Sequence, residues 1–311
     1  MRKILIVTDL HPVFMEELDK MGIEYLYSPK ITKKEAMDIL GDYEGLVVRT
    51  QFPIDEELLI RGTKLEFIGR AGAGLDNIDL NFTQKRNIFC LNAPEGNRDA
   101  VAEHEIGMIL SLANHLVKGQ EEIRKGIWDR EGNRGFELGG KVLGIIGMGN
   151  TGQALAKKIR GFDMKILGYD LYESGFGNEY IQESTLKEIF EQVDILSLHI
   201  PLTHLTNKMV NYEFLSRFQK PILFMNTSRG EIVETKDLLQ SLREGKVIGA
   251  GLDVLESEKF PATKNLDWFE ELINLKQVIL SPHVAGWTRE SYYKISMVLA
   301  DKIKKFYQSK A

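Results

Sequence analysis

The sequence predicts an α/β protein of two doubly wound parallel-sheet domains, one of them built to hold a dinucleotide. Three observations carry this. Apolar runs of strand length alternate with helix-length amphipathic segments almost end to end, the pattern of parallel sheets. The chain has 311 residues, a length that suggests two domains. The run Gly147-Met148-Gly149-Asn150-Thr151-Gly152 spells G-x-G-x-x-G between a buried strand and a helix, the context that gives this otherwise weak motif its meaning.

In order along the chain, the first strands are expected at 4–8, 23–27, 45–48, 65–69 and 88–91. Helical patterns near 13–21, 33–40, 55–61 and 77–85 separate them. This half has no nucleotide glycine motif of its own and reads as a flavodoxin-like substrate-binding domain. A long helical stretch follows from about 98 to 125. It is apolar on more than one face from Ala100 to Leu110, so it is expected to be buried between domains or subunits. The dinucleotide unit begins with a strand at 141–146, a helix at 153–159 and a strand at 164–169 ending in Asp170. Further strands are expected at 194–199, 222–226, 247–252 and 278–280. The closing helix, 289–308, places Ile295, Val298, Leu299, Ile303 and Phe306 on one side. A terminal helix after a complete dinucleotide fold suggests a discontinuous first domain. The expected division is 1–98 plus 285–311 for substrate and 99–284 for a Rossmann NAD-binding domain, with a hinge and a cleft between.

Composition excludes several classes. With 43% hydrophobic and 27% charged residues the chain is an ordinary globular protein. Its net charge of −5 and lack of a basic run argue against nucleic-acid binding. One cysteine, Cys90, forbids an intrachain disulfide and reads as a small core residue. Six histidines and that cysteine form no metal-ligand cluster, so no metal is expected. The apolar run at the N-terminus is too short for a signal peptide. No run approaches the roughly 18 apolar residues of a membrane span. A cytoplasmic protein without membrane contact is expected.

The glycines permit a tight turn and let backbone N–H groups approach a pyrophosphate at a helix N-terminus. Asp170 lies eighteen residues past Gly152, near the roughly 20 of the fingerprint. A carboxylate there accepts hydrogen bonds from the adenosine ribose and repels a 2′-phosphate, so NAD is expected rather than NADP. Four polar clusters fall at later strand ends, where doubly wound sheets bind ligands. They are His199-Ile200-Pro201-Leu202-Thr203, Asn226-Thr227-Ser228-Arg229-Gly230, 251–258 and Ser281-Pro282-His283-Val284-Ala285-Gly286. Among their residues are an arginine, two candidate acids and a candidate histidine.

This set, in this order, resembles the D-isomer-specific 2-hydroxyacid dehydrogenase family over essentially the whole chain. Within it the chain looks most like the phosphoglycerate dehydrogenase branch. Val48-Arg49-Thr50, the run 68–79 and Asn92-Ala93-Pro94-Glu95-Gly96-Asn97 add to the resemblance. It implies hydride transfer between NAD and a small-molecule 2-hydroxy acid, 3-phospho-D-glycerate above all, as the first step of serine biosynthesis. The residue chemistry agrees. Such a reaction needs a group that takes the hydroxyl proton, and imidazole titrates near neutrality. His283 is therefore the expected acid/base. Glu258 would orient it and raise its pKa. Arg229 would hold the substrate carboxylate through paired N–H donors. Glu256 is a neighbouring acid in a different register.

The resemblance implies a cofactor-binding set of Gly147, Gly149, Asn150, Thr151, Gly152, Tyr169, Asp170, His199, Ile200, Pro201, Thr206, Thr227, Ser228, Arg229, Asp253, His283 and Gly286. Asp253 would contact the nicotinamide carboxamide. Substrate binding would fall to Arg49, Arg70, Ala71, Gly72, Ala73 and Gly74, with Arg229 and His283. Arg49 and Arg70 suit a phosphorylated acid, and backbone N–H groups of the 70–74 loop suit a carboxylate. His104 and His199 read as structural in proton chemistry, and His11 and His204 as loop residues. A homodimer through the NAD-binding domain is expected, with Arg130 and Arg134 candidates for a neighbouring subunit's site. The sequence departs from the family at Lys259, where proline is common, and at Trp287, where small residues are common. Trp287 would narrow the cleft beside the nicotinamide. The chain ends at Ala311, so feedback through a C-terminal serine-binding domain is not expected. The alternatives are another activity of the family, such as glyoxylate or hydroxypyruvate reductase or D-lactate dehydrogenase, and a non-enzymatic NAD sensor like the corepressors of this fold.

Overall fold

A computed structural model describes residues 2–310. The chain divides into two compact units, Met1–Arg98 with Trp287–Ala311, and Asp99–Gly286. The return crossing lies two residues later than the expected 284/285.

The first unit holds β1 (Lys3–Ile6), α1 (Val13–Lys20), β2 (Glu24–Tyr27), α2 (Lys33–Ile39), β3 (Gly45–Val48), α3 (Glu56–Arg61), β4 (Phe67–Arg70), α4 (Leu80–Lys85) and β5 (Phe89–Asn92). Its five strands are parallel in the order β2-β1-β3-β4-β5, the flavodoxin-like order. Sequence marks three of the helix starts. Thr32 closes a capping box with Glu35, and the side chains of Asp55 and Asp79 accept the first-turn N–H groups of Leu58 and Phe82. The expected helix at 77–85 is shortened to its capped part, because Asn77 and Asp79 are tied back to Ile54 instead. Strands β4 and β5 sit one to two residues later than expected, which makes Arg70 the last residue of β4.

The second unit is entered along α5 (Pro94–Ala113), followed by α6 (Leu116–Arg124), β6 (Val142–Ile146), α7 (Asn150–Ile159), β7 (Lys165–Tyr169), β8 (Gln182–Glu183), α8 (Leu186–Gln192), β9 (Ile195–Leu198), α9 (Tyr212–Ser216), β10 (Ile222–Asn226), α10 (Thr235–Arg243), β11 (Val247–Leu252), α11 (Phe269–Asn274) and β12 (Val278–Leu280). The seven strands are parallel in the order β12-β11-β10-β9-β6-β7-β8. Counted from β6 this is the Rossmann order, reversing between β6 and β9. Strands β9 and β10 are buried along their whole length, as expected of strands covered on both faces.

The single helix expected over 98–125 is two helices. The first begins four residues earlier, at Pro94, whose fixed φ and missing N–H suit a first helical position. It ends where the Ala113 carbonyl accepts the Phe136 N–H at 3.0 Å, and His115 takes a left-handed φ of 52°. A distant loop thus takes the carbonyl that a continuing helix would have used.

The closing helix α12 (Arg289–Gln308) is capped by Thr288. It returns to the first unit, where Ile295, Leu299, Ile303 and Phe306 pack with Ile4, Ile6, Phe14, Val47 and Phe67. No helix among the described residues is long and apolar enough to cross a membrane.

Candidate active site

The reversal point of the larger sheet lies between the carboxyl ends of β6 and β9, where open α/β sheets bind ligands. Gly147 leaves β6 with φ 99°, and a Cβ there would stand 2.3 Å from the His199 carbonyl. A Cβ on Gly152 would stand 2.0 Å from the Gly147 carbonyl. Both positions therefore demand glycine, one for its φ and both for space. Gly149 precedes α7, which starts at Asn150 and carries Thr151 and Gly152 in its first turn. First-turn N–H groups have no partner within their helix, so this end suits a pyrophosphate. Asp170 follows β7, and its carboxylate accepts the backbone N–H groups of Met148, Tyr172 and Glu173 at 2.7–3.1 Å. Burial alone would raise its pKa, but these N–H donors outweigh it and hold the carboxyl below its usual range. The acid expected to face the ribose is thus ionised and bonded to the glycine loop itself. The cradle and the acid fit NAD.

The strand-end loops beside this cradle are tied to one another. His199, fully buried, places Nε2 2.8 Å from Ser197 Oγ and Nδ1 3.1 Å from Thr151 Oγ1. Ser197 donates to the buried carboxylate of Glu105 on α5, and Thr227 Oγ1 donates to the same carboxylate at 2.8 Å. Burial pulls the His199 pKa down, against the opposing charge of Glu105. Thr206 Oγ1 donates to the Pro201 carbonyl at 2.7 Å and closes the loop that begins at Ile200. Asn226, buried at the end of β10, accepts from the Ser228 N–H and hydroxyl and donates to the Arg229 carbonyl. Arg229 donates from Nη1 to the Ser228 carbonyl at 2.7 Å.

His283 and Glu258 meet. Nδ1 of the ring stands 2.9 Å from Glu258 Oε2, and both side chains are about half exposed, at 49% and 42%. The bond to Glu258 raises the His283 pKa, against burial and against the positive charge of Arg229. Burial works to raise the Glu258 pKa, but the His283 bond and charge prevail and lower it. A proton on Nδ1 donated to Glu258 leaves Nε2 as the basic atom. His283 has φ 55°, rare for a side-chain-bearing residue. Its N–H is fixed by the carbonyls of Asp253 and Ser281 at 2.8 and 3.1 Å. Asp253 holds this loop from below. Its carboxylate accepts from the Ser281 hydroxyl at 2.5 Å and from the N–H groups of Val284 and Ala285 at 2.9 and 2.8 Å. His104 Nε2 lies 2.8 Å from Ser281 Oγ. The residue expected to meet the carboxamide is thus engaged in shaping the loop of His283, and Gly286 ends that loop.

The residues expected to bind substrate in the first unit take a different form. Arg49 lies just past β3, with its Cζ 3.7 Å from the centroid of the Trp287 ring. Asp9, Arg49, Ala71, Trp287 and Tyr292 line a cavity of about 10 Å³, the size of one water. Asp9 accepts the hydroxyls of Tyr27 and Tyr292, each at 2.9 Å. Trp287 presents its ring to this arginine. Arg70 folds back on its own loop, donating from Nη1 to the Ala71 carbonyl at 3.3 Å. Gly72 has φ 150°, and a Cβ on it would stand 1.7 Å from that same nitrogen. Ala73 is tied by its carbonyl to Asn92, and Gly74 follows it.

Sequence reasoning missed Glu105 and Ser197, read Ser281 only as part of a strand-end cluster, and gave His104 no partner. A glutamate in the apolar run 100–110 was the available signal, since a buried carboxylate requires donors. His11 accepts the Val13 N–H at 3.2 Å at the head of α1, and Cys90 is partly buried beside Thr83. No group of residues able to hold a metal ion occurs among the described residues.

Residues 106–285 match the family model described as the D-isomer specific 2-hydroxyacid dehydrogenase, NAD binding domain. A D-3-phosphoglycerate dehydrogenase of Methanocaldococcus jannaschii is 34% identical over 310 residues, 98% of this chain and 57% of that protein. The chain thus spans little more than half the length of that relative. A hydroxypyruvate reductase of Thermotoga maritima is 35% identical over 278 residues, 89% of each chain. Among solved structures, a D-lactate dehydrogenase of Aquifex aeolicus, complexed with NAD and lactic acid, is similar with a TM-score of 0.83 and 28% identity, covering 99% of this chain and 96% of that one. The glycine cradle, the strand order and these similarities agree, and the chain belongs to the D-isomer specific 2-hydroxyacid dehydrogenase family.

Proposed function

We propose that the chain is an NAD-dependent D-2-hydroxyacid dehydrogenase that oxidises 3-phospho-D-glycerate to 3-phosphohydroxypyruvate, at the entry to serine biosynthesis. The observation that carries the catalytic reading is the His283–Glu258 pair, 2.9 Å apart, within the electrostatic reach of Arg229. Bound NAD supplies the hydride acceptor. Nε2 of His283 takes the proton of the substrate hydroxyl as the hydride leaves C2, and the C–O single bond becomes the ketone. Glu258 stabilises the imidazolium so formed. Arg229 holds the substrate carboxylate and polarises the C2 oxygen with parallel N–H donors. In the reverse direction the imidazolium returns its proton to the ketone oxygen. Arg49 and Arg70 are the proposed phosphate partners, and the N–H groups of 71–74 the carboxylate partners. These catalytic groups also favour an enzyme over an NAD sensor.

A second reading has its own support. The Thermotoga maritima hydroxypyruvate reductase matches this chain over 89% of both lengths, so the alternative substrate class is an unphosphorylated hydroxy acid, oxidised with NAD, or its keto acid, reduced with NADH, with the same residues moving the proton. The assay that separates the two follows NADH formation from 3-phospho-D-glycerate at alkaline pH with the ketone trapped by hydrazine, beside D-glycerate and D-lactate. Turnover with the phosphorylated acid alone supports the first reading, and turnover with D-glycerate or D-lactate replaces it with the second. Silence with all three, in protein that binds NAD, favours an untested substrate or the sensor.

The proposed assembly is a homodimer through the NAD-binding unit. Its support is five large apolar side chains that stand exposed between 116 and 128, namely Leu116, Val117, Ile123, Ile127 and Trp128, the last 80% exposed. Sedimentation of the purified protein as a monomer would refute it.

A further inference from the structure

The chain of groups Thr151–His199–Ser197–Glu105–Thr227 joins α7, the end of β9, α5 and the loop after β10. Proton transfer at C2 uses none of it. Its hydrogen bonds can run in only one direction if Glu105 is a carboxylate, because a carboxylate accepts and does not donate. Ser197 must then give its proton to Glu105. Its oxygen is left to accept, so Nε2 of His199 must carry a proton and donate it. A neutral ring with Nε2–H has a bare Nδ1, which must accept the proton of Thr151 Oγ1 at 3.1 Å. Thr227, 2.8 Å from the other carboxylate oxygen, likewise turns its proton inward. With Glu105 ionised, the only other protonation state of the ring that fits is an imidazolium. Complete burial of His199 opposes it and holds the ring below its usual pKa.

The consequence falls on the cofactor. Hydroxyls usually rotate to suit whatever they meet, but two hydroxyls at this cradle are not free to do so. We infer that Glu105 is a positioning residue for the dinucleotide, which locks the hydroxyls of Thr151 and Thr227 as acceptors through one directed hydrogen-bond chain. Thr151, in the first turn of α7, then gives no proton to a phosphate oxygen, and the anion is held there by backbone N–H groups. Thr227 offers its oxygen only to a donor, such as a ribose hydroxyl or an amide N–H. The lock also fixes three loops against one another, since Glu105 gathers the ends of β9 and β10 and, through His199, the head of α7. Nothing in this depends on which hydroxy acid the protein uses.

The test begins with the protein free of ligand. Ring 15N–1H correlation spectra of 15N-histidine-labelled protein report the His199 tautomer, with the signal assigned by its loss in His199→Gln. The expected state is neutral with the proton on Nε2. A proton on Nδ1, alone or in an imidazolium, overturns the inference. The second arm is NAD affinity by titration. Glu105→Gln replaces one acceptor oxygen with a donor, so either Ser197, and through His199 the Thr151 hydroxyl, or Thr227 must reverse, and NAD should bind about tenfold more weakly, on the scale of one hydrogen bond made wrongly. Wild-type affinity in a folded Glu105→Gln protein overturns the inference. Should that variant fail to fold, Thr227→Val and Thr227→Ser decide. Weak binding in the first with rescue in the second supports the lock, and equal affinity in both refutes it.

Discussion

At the carboxyl edge of the seven-stranded sheet, side-chain hydrogen bonds of 2.8 and 2.5 Å join His104 to Ser281 and Ser281 to Asp253, and one of 2.9 Å joins Glu258 to His283. At the same edge of the five-stranded sheet, Arg49 is held by the face of Trp287, and Arg70 curls over the loop after its own strand. The first arrangement fixes direction. A ring bonded at Nδ1, on a loop pinned by three bonds to a buried carboxylate, presents Nε2 along one line. In the second, the Arg49 charge lies over an aromatic face, and a guanidinium over a ring keeps its N–H groups at its rim. Under the proposed function the former would serve bond-making chemistry and the latter recognition of an anion. The same contrast separates the two glycine loops. The backbone packing around Gly147 and Gly152 is steric, with carbonyls 2.0–2.3 Å from where a Cβ would stand, while the space beside Gly72 is filled by a flexible arginine.

The largest effect should follow removal of the directed base. His283→Asn should lower kcat about 10²–10⁴-fold, the usual worth of general acid–base catalysis, a loss larger than any change in NAD affinity. Steady-state rates beside NAD titration check this. A loss of only a few-fold would place proton transfer elsewhere. Next comes Gly152→Ala, whose Cβ would meet backbone rather than a movable side chain. It should cost about 1–3 kcal/mol of stability, in the manner of overpacking, and should weaken NAD binding with it. Thermal unfolding with and without NAD gives both numbers. Gly72→Ala meets only the end of Arg70, although its φ of 150° adds strain. A loss as large as that of Gly152→Ala would erase the distinction between the two loops.

Glu258→Gln tests the electrostatic half of the comparison through pH. Glu258 raises the His283 pKa. Oxidation requires the neutral ring, so its rate rises as pH climbs through that pKa. Reduction requires the imidazolium, so its rate falls over the same span. Removing the carboxylate charge lowers the pKa and should move both limbs to lower pH. A shift to higher pH, or none, would show that the 2.9 Å pair does not set the histidine's titration.

The contrast between the edges also explains what the sequence could reveal. Gly147, Gly152 and Asp170 were legible because each answers a backbone or strand-end requirement at fixed spacing. The closing helix was legible from its apolar side, which packs on β1 and β4 as that pattern requires. The break between α5 and α6 was not, because its cause is the Phe136 N–H on the Ala113 carbonyl, twenty-three residues away. Glu105 was illegible for a related reason. One carboxylate in an apolar helical run gives no sign of the Ser197 and Thr227 hydroxyls that meet it, since both arrive from strand ends about a hundred residues on. Local chemistry could be read along the chain, but partners gathered by sheet topology could not.

The smallest expected effect concerns Trp287, and it bears directly on the looser edge. Its ring is 62% exposed, so it adds little to the core and its loss should leave the unit folded. What it supplies is a face 3.7 Å from Arg49. Burial already lowers the pKa of that guanidinium, and a partly desolvated cation gains from a ring quadrupole. Such contacts are worth about 0.5–1 kcal/mol at exposed sites. Trp287→Ala should therefore raise KM for a phosphorylated hydroxy acid about two- to fivefold, the same energy expressed as a ratio, and leave kcat near its starting value. Trp287→Phe should recover part of the loss, because a smaller aromatic face still attracts the cation. The split between KM and kcat is the informative readout. If kcat falls instead, Trp287 acts on the chemistry at the other edge, and the division between a bonded edge for reaction and a stacked edge for recognition fails.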